Sequence, residues 1–398
     1  MRPCFGVAGL VLFLLAGLPL AAKDQPPTIA PQDRLLVLPV EFAYYKYGMT
    51  GPIEVVIDRS EQAQRNLESS LQRALRRDES QLFVPLPQMS VDELAIVNEY
   101  TDLLRLLAAA STADILNRAP PTLSVDSIGG GLAFIAERAG VDRAIFVSGF
   151  RGIPSADVAL MVPFLTTEPL LRIGNKKVLS AIVVDLRSGD LLVNIVPERG
   201  FAGEADDVAG ANTWMRALFD IAPDRVRGVT MHVRKSRPER PVRHPRPRKG
   251  FIVTSPLGWV ESDTLHTMCL YRHRAGIENI CVDNMALGDA LRARGMTPDA
   301  DPMQIGEVAT SVIKADDRFA DMAVTSLVPA RIAGRNGFRA ELTSRLKLGG
   351  SHIRERHVVY GMTGGQGAYL LRFDAPAIYY FDRYLGEFEA VVTTFRFL

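Results

Sequence analysis

Helical and strand periodicities alternate in the first half of this chain and give way to successive hairpins in the second. They predict an α/β N-terminal layer domain followed by an α+β C-terminal domain, an antiparallel hairpin sheet closed by a C-terminal helix. Between the two lies a basic, proline-rich stretch, His232 to Gly250, that fits neither pattern. The chain has 398 residues, more than a single core normally fills. Its apolar fraction of 47% and charged fraction of 23% exclude wholesale disorder.

The start of the chain carries an address. Arg2 precedes the apolar run Phe5 to Leu18, and Pro19-Leu20-Ala21-Ala22 leads into the polar Lys23-Asp24-Gln25. Residues 1–22 therefore read as a secretory signal peptide and 23–33 as a disordered segment. The run is shorter than the roughly 20 residues that a membrane span needs. No Cys follows it to accept a lipid, and no other segment has the length and apolarity of a span. The periplasm is the expected compartment, which counts against ATP-dependent chemistry. Removal of the leader would discard Cys4 and leave Cys269 and Cys281 as a pair in an oxidising environment.

In the α/β half, 34–231, "RLLVLPV" (Arg34 to Val40) reads as a buried strand. Ser60 is expected to open a helix with Leu67, Leu71, Ala74 and Leu75 on its apolar face. A second helix follows Ser90, with Asp92 and Glu93 at its positive start. A third is expected from about Ser124 to Ala139, before the strand "RAIFVSG". "KVLSAIVVDL" and "LLVNIV" are strands joined by the turn Arg187-Ser188-Gly189-Asp190, and a helix spans about Asp207 to Ile221. The hairpin "KVLSAIVVDLRSGDLLVNIV" and the preceding "AERAGVDRAIFVSG" resemble a group of bacterial envelope domains. That group comprises the curli secretion protein CsgG, the TolB N-terminal domain and the lipoprotein activators of penicillin-binding proteins. The resemblance implies an envelope α/β domain and brings no catalytic residue.

In the second half, 251–398, "TLHTMCLYRH" and "IENICVDNMAL" flank a turn at Arg274-Ala275-Gly276. "SLVPARIAG" and "FRAELTSRL" flank Arg335-Asn336-Gly337, a hairpin signal. "RERHVVYGMT" and "GAYLLRF" flank Gly364-Gly365-Gln366-Gly367. After Pro376, Phe381, Tyr384, Leu385, Phe388, Val391 and Val392 recur at helical steps. Hairpins followed by this helix and by Thr394-Phe395 resemble the PsbP-like domains, which include bacterial DcrB-type envelope proteins. The resemblance implies a non-enzymatic docking or assembly module, with no functional residue carried over.

The joining stretch, 232–250, holds Arg234, Lys235, Arg237, Arg240, Arg243, Arg246, Arg248 and Lys249 against the single acid Glu239. Its prolines donate no ladder hydrogen bonds and its like charges repel, so it reads as an extended inter-domain linker. The same eight residues are candidates for contact with anionic lipid, lipopolysaccharide or peptidoglycan polymer.

Candidate chemistry is sparse. "FVSGF" at Ser148 lacks the leading Gly of a nucleophile elbow, and the glycines of "SIGGGLAF" lack a following Lys-Ser/Thr, so both read as structural. His266, Cys269, His273 and Cys281 offer zinc-ligand chemistry. Pairing about Ala275 sets Cys269 opposite Cys281 and turns the two histidines to opposite faces, which predicts a disulfide and no metal site. The pairs Asp206-Asp207 and Asp316-Asp317 read as solvated, and His352 and His357 as residues of an exposed edge. The apolar segment Ala156 to Asn175 is a candidate partner-contact surface, through Val158, Leu160, Met161, Val162, Phe164, Leu165, Leu170 and Leu171. No cofactor, metal or nucleic acid is expected. The expectation is an exported envelope accessory protein with a protein partner. The rival is a periplasmic hydrolase with a dispersed site, which a deep pocket with convergent polar groups and shifted pKa values would favour.

Overall fold

A computed structural model describes residues 35–47, 54–76, 83–116, 127–154, 177–195, 201–219, 242–246, 250–263, 267–272, 277–283, 286–297, 300–347, 353–364 and 367–398. The signal segment, the apolar segment 156–175, and Arg234, Lys235, Arg237, Arg240, Arg248 and Lys249 lie outside them.

The first half runs β1 (Leu35–Val37), β2 (Glu41–Tyr47), β3 (Glu54–Val55), α1 (Ile57–Arg76), β4 (Phe83–Val84) and α2 (Val91–Leu116). It continues with α3 (Ala133–Ala139), β5 (Arg143–Pro154), β6 (Lys177–Asp185), β7 (Leu191–Ile195) and α4 (Val208–Phe219). β1 and β2 lie parallel to successive parts of β5, while β6 and β7 continue from β5 as an antiparallel meander. Leu179, Ala181 and Val183 of β6 pack with α1 and α4, and Ile182 and Val184 with α2 and α3. Burial on both faces explains the apolar run of that strand, which only Ser180 interrupts between Val178 and Val184.

Two helix starts differ from expectation. α1 begins at Ile57, and Ser60 lies inside it, donating to the Val56 carbonyl at 2.7 Å and accepting from the Tyr44 N–H at 2.9 Å. Its hydroxyl therefore fastens the helix to β2. α3 is shorter than the sequence predicts, because Ser127 to Leu132 form a turn that serves a contact described below. Ser90 does behave as a cap. Its N–H donates to Glu93 Oε2 at 2.8 Å, and the Glu93 N–H returns a bond to Ser90 Oγ at 3.3 Å.

The second half runs β8 (Val242–Arg246), β9 (Phe251–Ser255), β10 (Val260–Asp263), β11 (Thr267–Tyr271), β12 (Asn279–Asp283), α5 (Ala286–Ala293) and α6 (Pro302–Lys314). Then follow β13 (Phe319–Ile332), β14 (Arg335–Leu346), β15 (Arg354–Gly364), β16 (Gly367–Pro376), α7 (Tyr380–Thr394) and β17 (Arg396–Phe397). Seven strands form an antiparallel sheet in the order β10-β11-β12-β16-β15-β14-β13. One face packs on α7 through Val358, Leu371, Phe373, Phe381 and Phe388, and the other on α5 and α6 through Phe338, Ala340, Leu342 and Leu370.

Cys269 stands opposite Cys281 and is bonded to it, with Met268 and Leu270 facing Val282 and Ile280 on the core side. The β13–β14 turn is displaced from Asn336-Gly337. Ile332 pairs with Arg335, and the loop is Ala333-Gly334, with φ of 51° and 80°. Both residues thus take the left-handed conformation of a tight hairpin, and the register keeps Phe338, Ala340 and Leu342 on the covered face.

The linker reading needs correction at its C-terminal end. Val242–Arg246, which includes Arg243 and Arg246, is a strand paired antiparallel with β9, and β9 pairs with β17. β8 is the edge of this three-stranded sheet, the position in which Pro245 loses least by lacking an N–H.

The two halves also share a core. One buried cluster runs from Leu36, Leu103 and Phe146 through Ile128 to Tyr380, Phe373 and Phe388. Residues 99–104 of α2 are all buried, as in a helix packed on every side. Glu99, 4% exposed, accepts from the Arg354 backbone N–H at 3.0 Å and from its guanidinium at 2.7 to 3.3 Å. Tyr380 Oη donates to the Ser127 carbonyl at 3.1 Å. Gly129, at φ +82°, lies so close to the Tyr379 ring that a Cβ would collide with it. The glycines of "SIGGGLAF" are thus packing positions, as the sequence implies.

Two outcomes follow. Trypsin cleavage between 220 and 241 should leave the two halves eluting together in native size-exclusion chromatography, and Arg354→Ala should lower stability by about 1–3 kcal/mol in denaturant unfolding. Non-reduced peptide mapping should find Cys269 joined to Cys281, and Cys281→Ser should cost about 3 kcal/mol.

Candidate functional site at the joint of the two halves

Alternation along β14, β15 and β16 puts Ser344, Glu355, His357, Arg372 and Asp374 on one face of the large sheet. The register pairs Ser344 with Glu355 and His357 with Asp374. The apolar end of that face lies under α5 and α6. Past the end of α6 the chain turns through Asp316, Asp317 and Arg318 over the polar end.

His357 Nδ1 lies 2.6 Å from Asp374 Oδ1, and its Nε2 lies 2.7 Å from Ser344 Oγ. An ionised Asp374 requires the proton on Nδ1, so Nε2 of a neutral ring accepts from the Ser344 hydroxyl. Arg372 Nε donates to Asp374 Oδ1 at 2.5 Å and Nη1 to Asp316 Oδ2 at 3.3 Å, while Arg318 makes three further bonds with the Asp316 carboxylate, from Nε at 2.9 and 3.2 Å and from Nη2 at 2.6 Å. Burial alone would raise the Asp374 carboxyl, but Arg372 and His357 outweigh it and hold it down to about 2. The order Ser–His–Asp is that of a hydrolytic triad. It is sealed, however: Ser344 is 5%, His357 0% and Asp374 2% exposed, and Phe319 meets the imidazole edge to face.

Beside this cluster is a pocket of about 350 Å³, lined by Leu106 of α2, Ile277, Asn279, Phe319, Leu346 and Pro376, with Asp317, Arg318, Lys347 and Glu355 supplying charge. Glu355 is 5% exposed and has no hydrogen-bond or ion-pair partner among the described residues. Burial, reinforced by Asp374 and opposed by Arg372 and Arg318, pushes its carboxyl up to about 8. At neutral pH it is therefore predominantly an undissociated acid.

Several residues singled out by pattern alone fall elsewhere. His357 lies in an interior strand and is fully buried, because strands pair on both sides of β15. Asp316 is an ion-pair centre, and Asp206 accepts from Arg59 at 2.5 Å and Tyr44 at 2.8 Å, so neither is merely solvated. Ser148 is buried in mid-strand and lines a second cavity, of about 210 Å³, with Glu41, Arg105 and Ser180 and no histidine. No metal-holding cluster of His, Cys, Asp and Glu occurs among the described residues, and no helix among them is long and apolar enough to cross a membrane. His266, His273 and His352 lie outside those residues. Short motifs could not reveal Ser344, His357 and Asp374, but counting from the Gly364-to-Gly367 turn sets His357 opposite Asp374.

No protein-family model matches this chain, and no curated protein does. Among solved structures, cyanobacterial PsbP from Synechocystis sp. PCC 6803 is 16% identical, covering 40% of this chain and 92% of its own, with a TM-score of 0.27. The Saccharomyces cerevisiae Ran-binding protein Mog1p is 9% identical over 40% of this chain and 95% of its own, with a TM-score of 0.29. LpqN of Mycobacterium tuberculosis, involved in cell envelope biogenesis, is 12% identical over 39% and 88%, with a TM-score of 0.23. At such scores none carries a function to this chain.

Glu355 gives the protein a pH signature. Its folded-state pKa of about 8 lies above the ordinary value of about 4.3, so its contribution is complete below that value and drains away as pH rises towards 8. Asp374 acts oppositely: its contribution is present above about pH 4 and is lost as pH falls towards 2. Glu355→Gln should therefore flatten the decline in denaturant midpoint between about pH 5 and 9, and exceed wild type at the alkaline end by on the order of 1–3 kcal/mol.

Proposed function

We propose that this chain is an exported accessory module of a bacterial cell envelope, periplasmic, that works by binding, with another envelope protein as its partner. The leader-like start, the facing cysteines and the PsbP-like order of hairpins and closing helix support the address and type. The closed state of the Ser344–His357–Asp374 cluster carries the preference for binding over catalysis. A nucleophile must reach a substrate carbonyl, and this hydroxyl is buried beneath its own sheet cover. The apolar segment holding Met161 and Phe164 is the proposed protein-contact surface, and the basic stretch is the proposed contact with anionic envelope polymer.

A second reading, hydrolysis, rests on the hydrogen bonds of 2.6 and 2.7 Å that order those three residues and on the adjoining pocket, where the Glu355 and Asp374 carboxyls are shifted from their ordinary values. One experiment separates the two. Photo-crosslinkers placed at Met161 and Phe164 in intact cells should yield a discrete adduct absent from a control placed at the exposed Val328, and a fluorophosphonate should leave Ser344 unmodified. Labelling of Ser344 that disappears in Ser344→Ala would favour the hydrolase, and adducts no different from those of the control would remove the proposed contact surface.

A further inference from the structure

The Glu355 carboxyl is 5% exposed, lines the pocket, and has no hydrogen-bond or ion-pair partner among the described residues. A buried polar group in such a place costs stability until something pairs with it. The cavity beside it has the size for an outside partner, about 350 Å³ against a usual range of roughly 300–1,000 Å³ for small-molecule sites. Buried Ile277, Phe319 and Pro376 line it together with Glu355, and exposed Asp317, Arg318 and Lys347 stand on its solvent side.

The charges already in place select the sign of that partner. The carboxyls of Asp316, Asp317, Glu355 and Asp374 outnumber the cations Arg318, Lys347 and Arg372 by one. Both arginines are committed, Arg318 to Asp316 and Arg372 to Asp316 and Asp374. His357 is spent on Asp374 and Ser344. On the α2 side, Glu99 is held by Arg354 and Asp102 by Arg105, and the fully buried Glu278 does not line the cavity. Asp317 and Lys347 are exposed and of opposite sign, so water and salt screen them and neither decides what enters. The acid left over is Glu355. A ligand carboxylate would lie against Glu355 and Asp374 with Arg318 and Arg372 already held. A ligand ammonium supplies the one charge that is missing.

We propose that this pocket binds a small primary amine with an apolar body, its ammonium donating to the Glu355 carboxylate and its body lying along Leu106, Ile277 and Phe319. Such a charge-assisted bond is roughly twice as strong as one between neutral groups. Burial, with Asp374 next to it, keeps Glu355 protonated while the site is empty. Binding breaks that O–H bond and sends the proton to solvent, while the ammonium keeps its own three. Leu106 belongs to α2 and Phe319 to β13, so the ligand touches both halves of the chain. The partner reading is independent of this one, since crosslinking at Met161 and Phe164 can fail while amine binding holds.

Octylamine, octanol and octanoate, titrated by calorimetry into the intact mature protein, test the assignment. At pH 8 octylamine should bind at least about tenfold more tightly than either analogue. Its affinity should rise at least about tenfold from pH 6 to pH 8, because the group is protonated when free and ionised when bound. At pH 7, buffers of different ionisation enthalpy should report the release of close to one proton. None of these readouts needs a variant. Glu355→Gln, with its cooperative unfolding checked, should lose both the preference for the amine and the proton release, while Lys347→Ala should leave octylamine binding equal or tighter. Octanol or octanoate binding as tightly as octylamine, octylamine binding unchanged in Glu355→Gln, or no octylamine binding at millimolar concentration would each overturn the proposal.

Discussion

Helix α2 is the element on which both halves depend. A helix buried through six consecutive residues cannot be satisfied by one sheet, because a single sheet covers only one stripe of it. The first-half sheet takes one side, and the second half supplies Arg354 for Glu99 and the wall opposite Leu106. Each fully buried Leu on such a helix is worth about 1.5–3 kcal/mol, and Leu103, Leu104 and Leu107 are all fully buried. Exposing that surface by parting the halves would also strand the Glu99 carboxylate. The division into two domains is thus a division of topology more than of stability.

The large antiparallel sheet uses its two faces differently. One is aromatic and aliphatic at its centre under α7, where Phe373 stacks on Phe388 at 5.5 Å and lies 5.4 Å from Phe381, with Arg339, Arg354 and Arg356 paired to acids around it. The other changes character along its length, apolar under α5 and α6 and polar beyond the end of α6. The polar end is tolerable because nearly every charge in it has a counterpart. Asp374 is bonded to both His357 and Arg372, and Asp316 to both Arg318 and Arg372. Glu355 is the carboxyl left without a counterpart, and its proton substitutes for the missing partner. The unpaired acid and the open pocket are therefore two aspects of one arrangement.

Much of this was legible in the chain. The cross-strand cysteines followed from a turn centre and the two-residue period of a strand. The helix after Ser90, the strand of β6 and the apolar face of α7 followed equally from local patterns. Where local signals competed with packing, packing prevailed. Asn336-Gly337 is a good hairpin turn in isolation, but the tight turn forms at Ala333-Gly334 because that register covers Phe338, Ala340 and Leu342. Residues 242–246 read as linker because proline and repulsive charge dominate locally, yet an edge strand tolerates both.

What the sequence determined by itself is whatever depends on neighbours along the chain: the export-like start, the alternation of elements and the Cys269–Cys281 pairing. Tertiary structure alone decided that the halves share a core, that His357 is buried, and that Glu355 ends without a partner beside Leu106. Those facts arise from residues hundreds of positions apart meeting across helix and sheet surfaces. Glu99 and Arg354 carry no mark of each other in the chain, since the bond between them exists only once two independently patterned surfaces have packed.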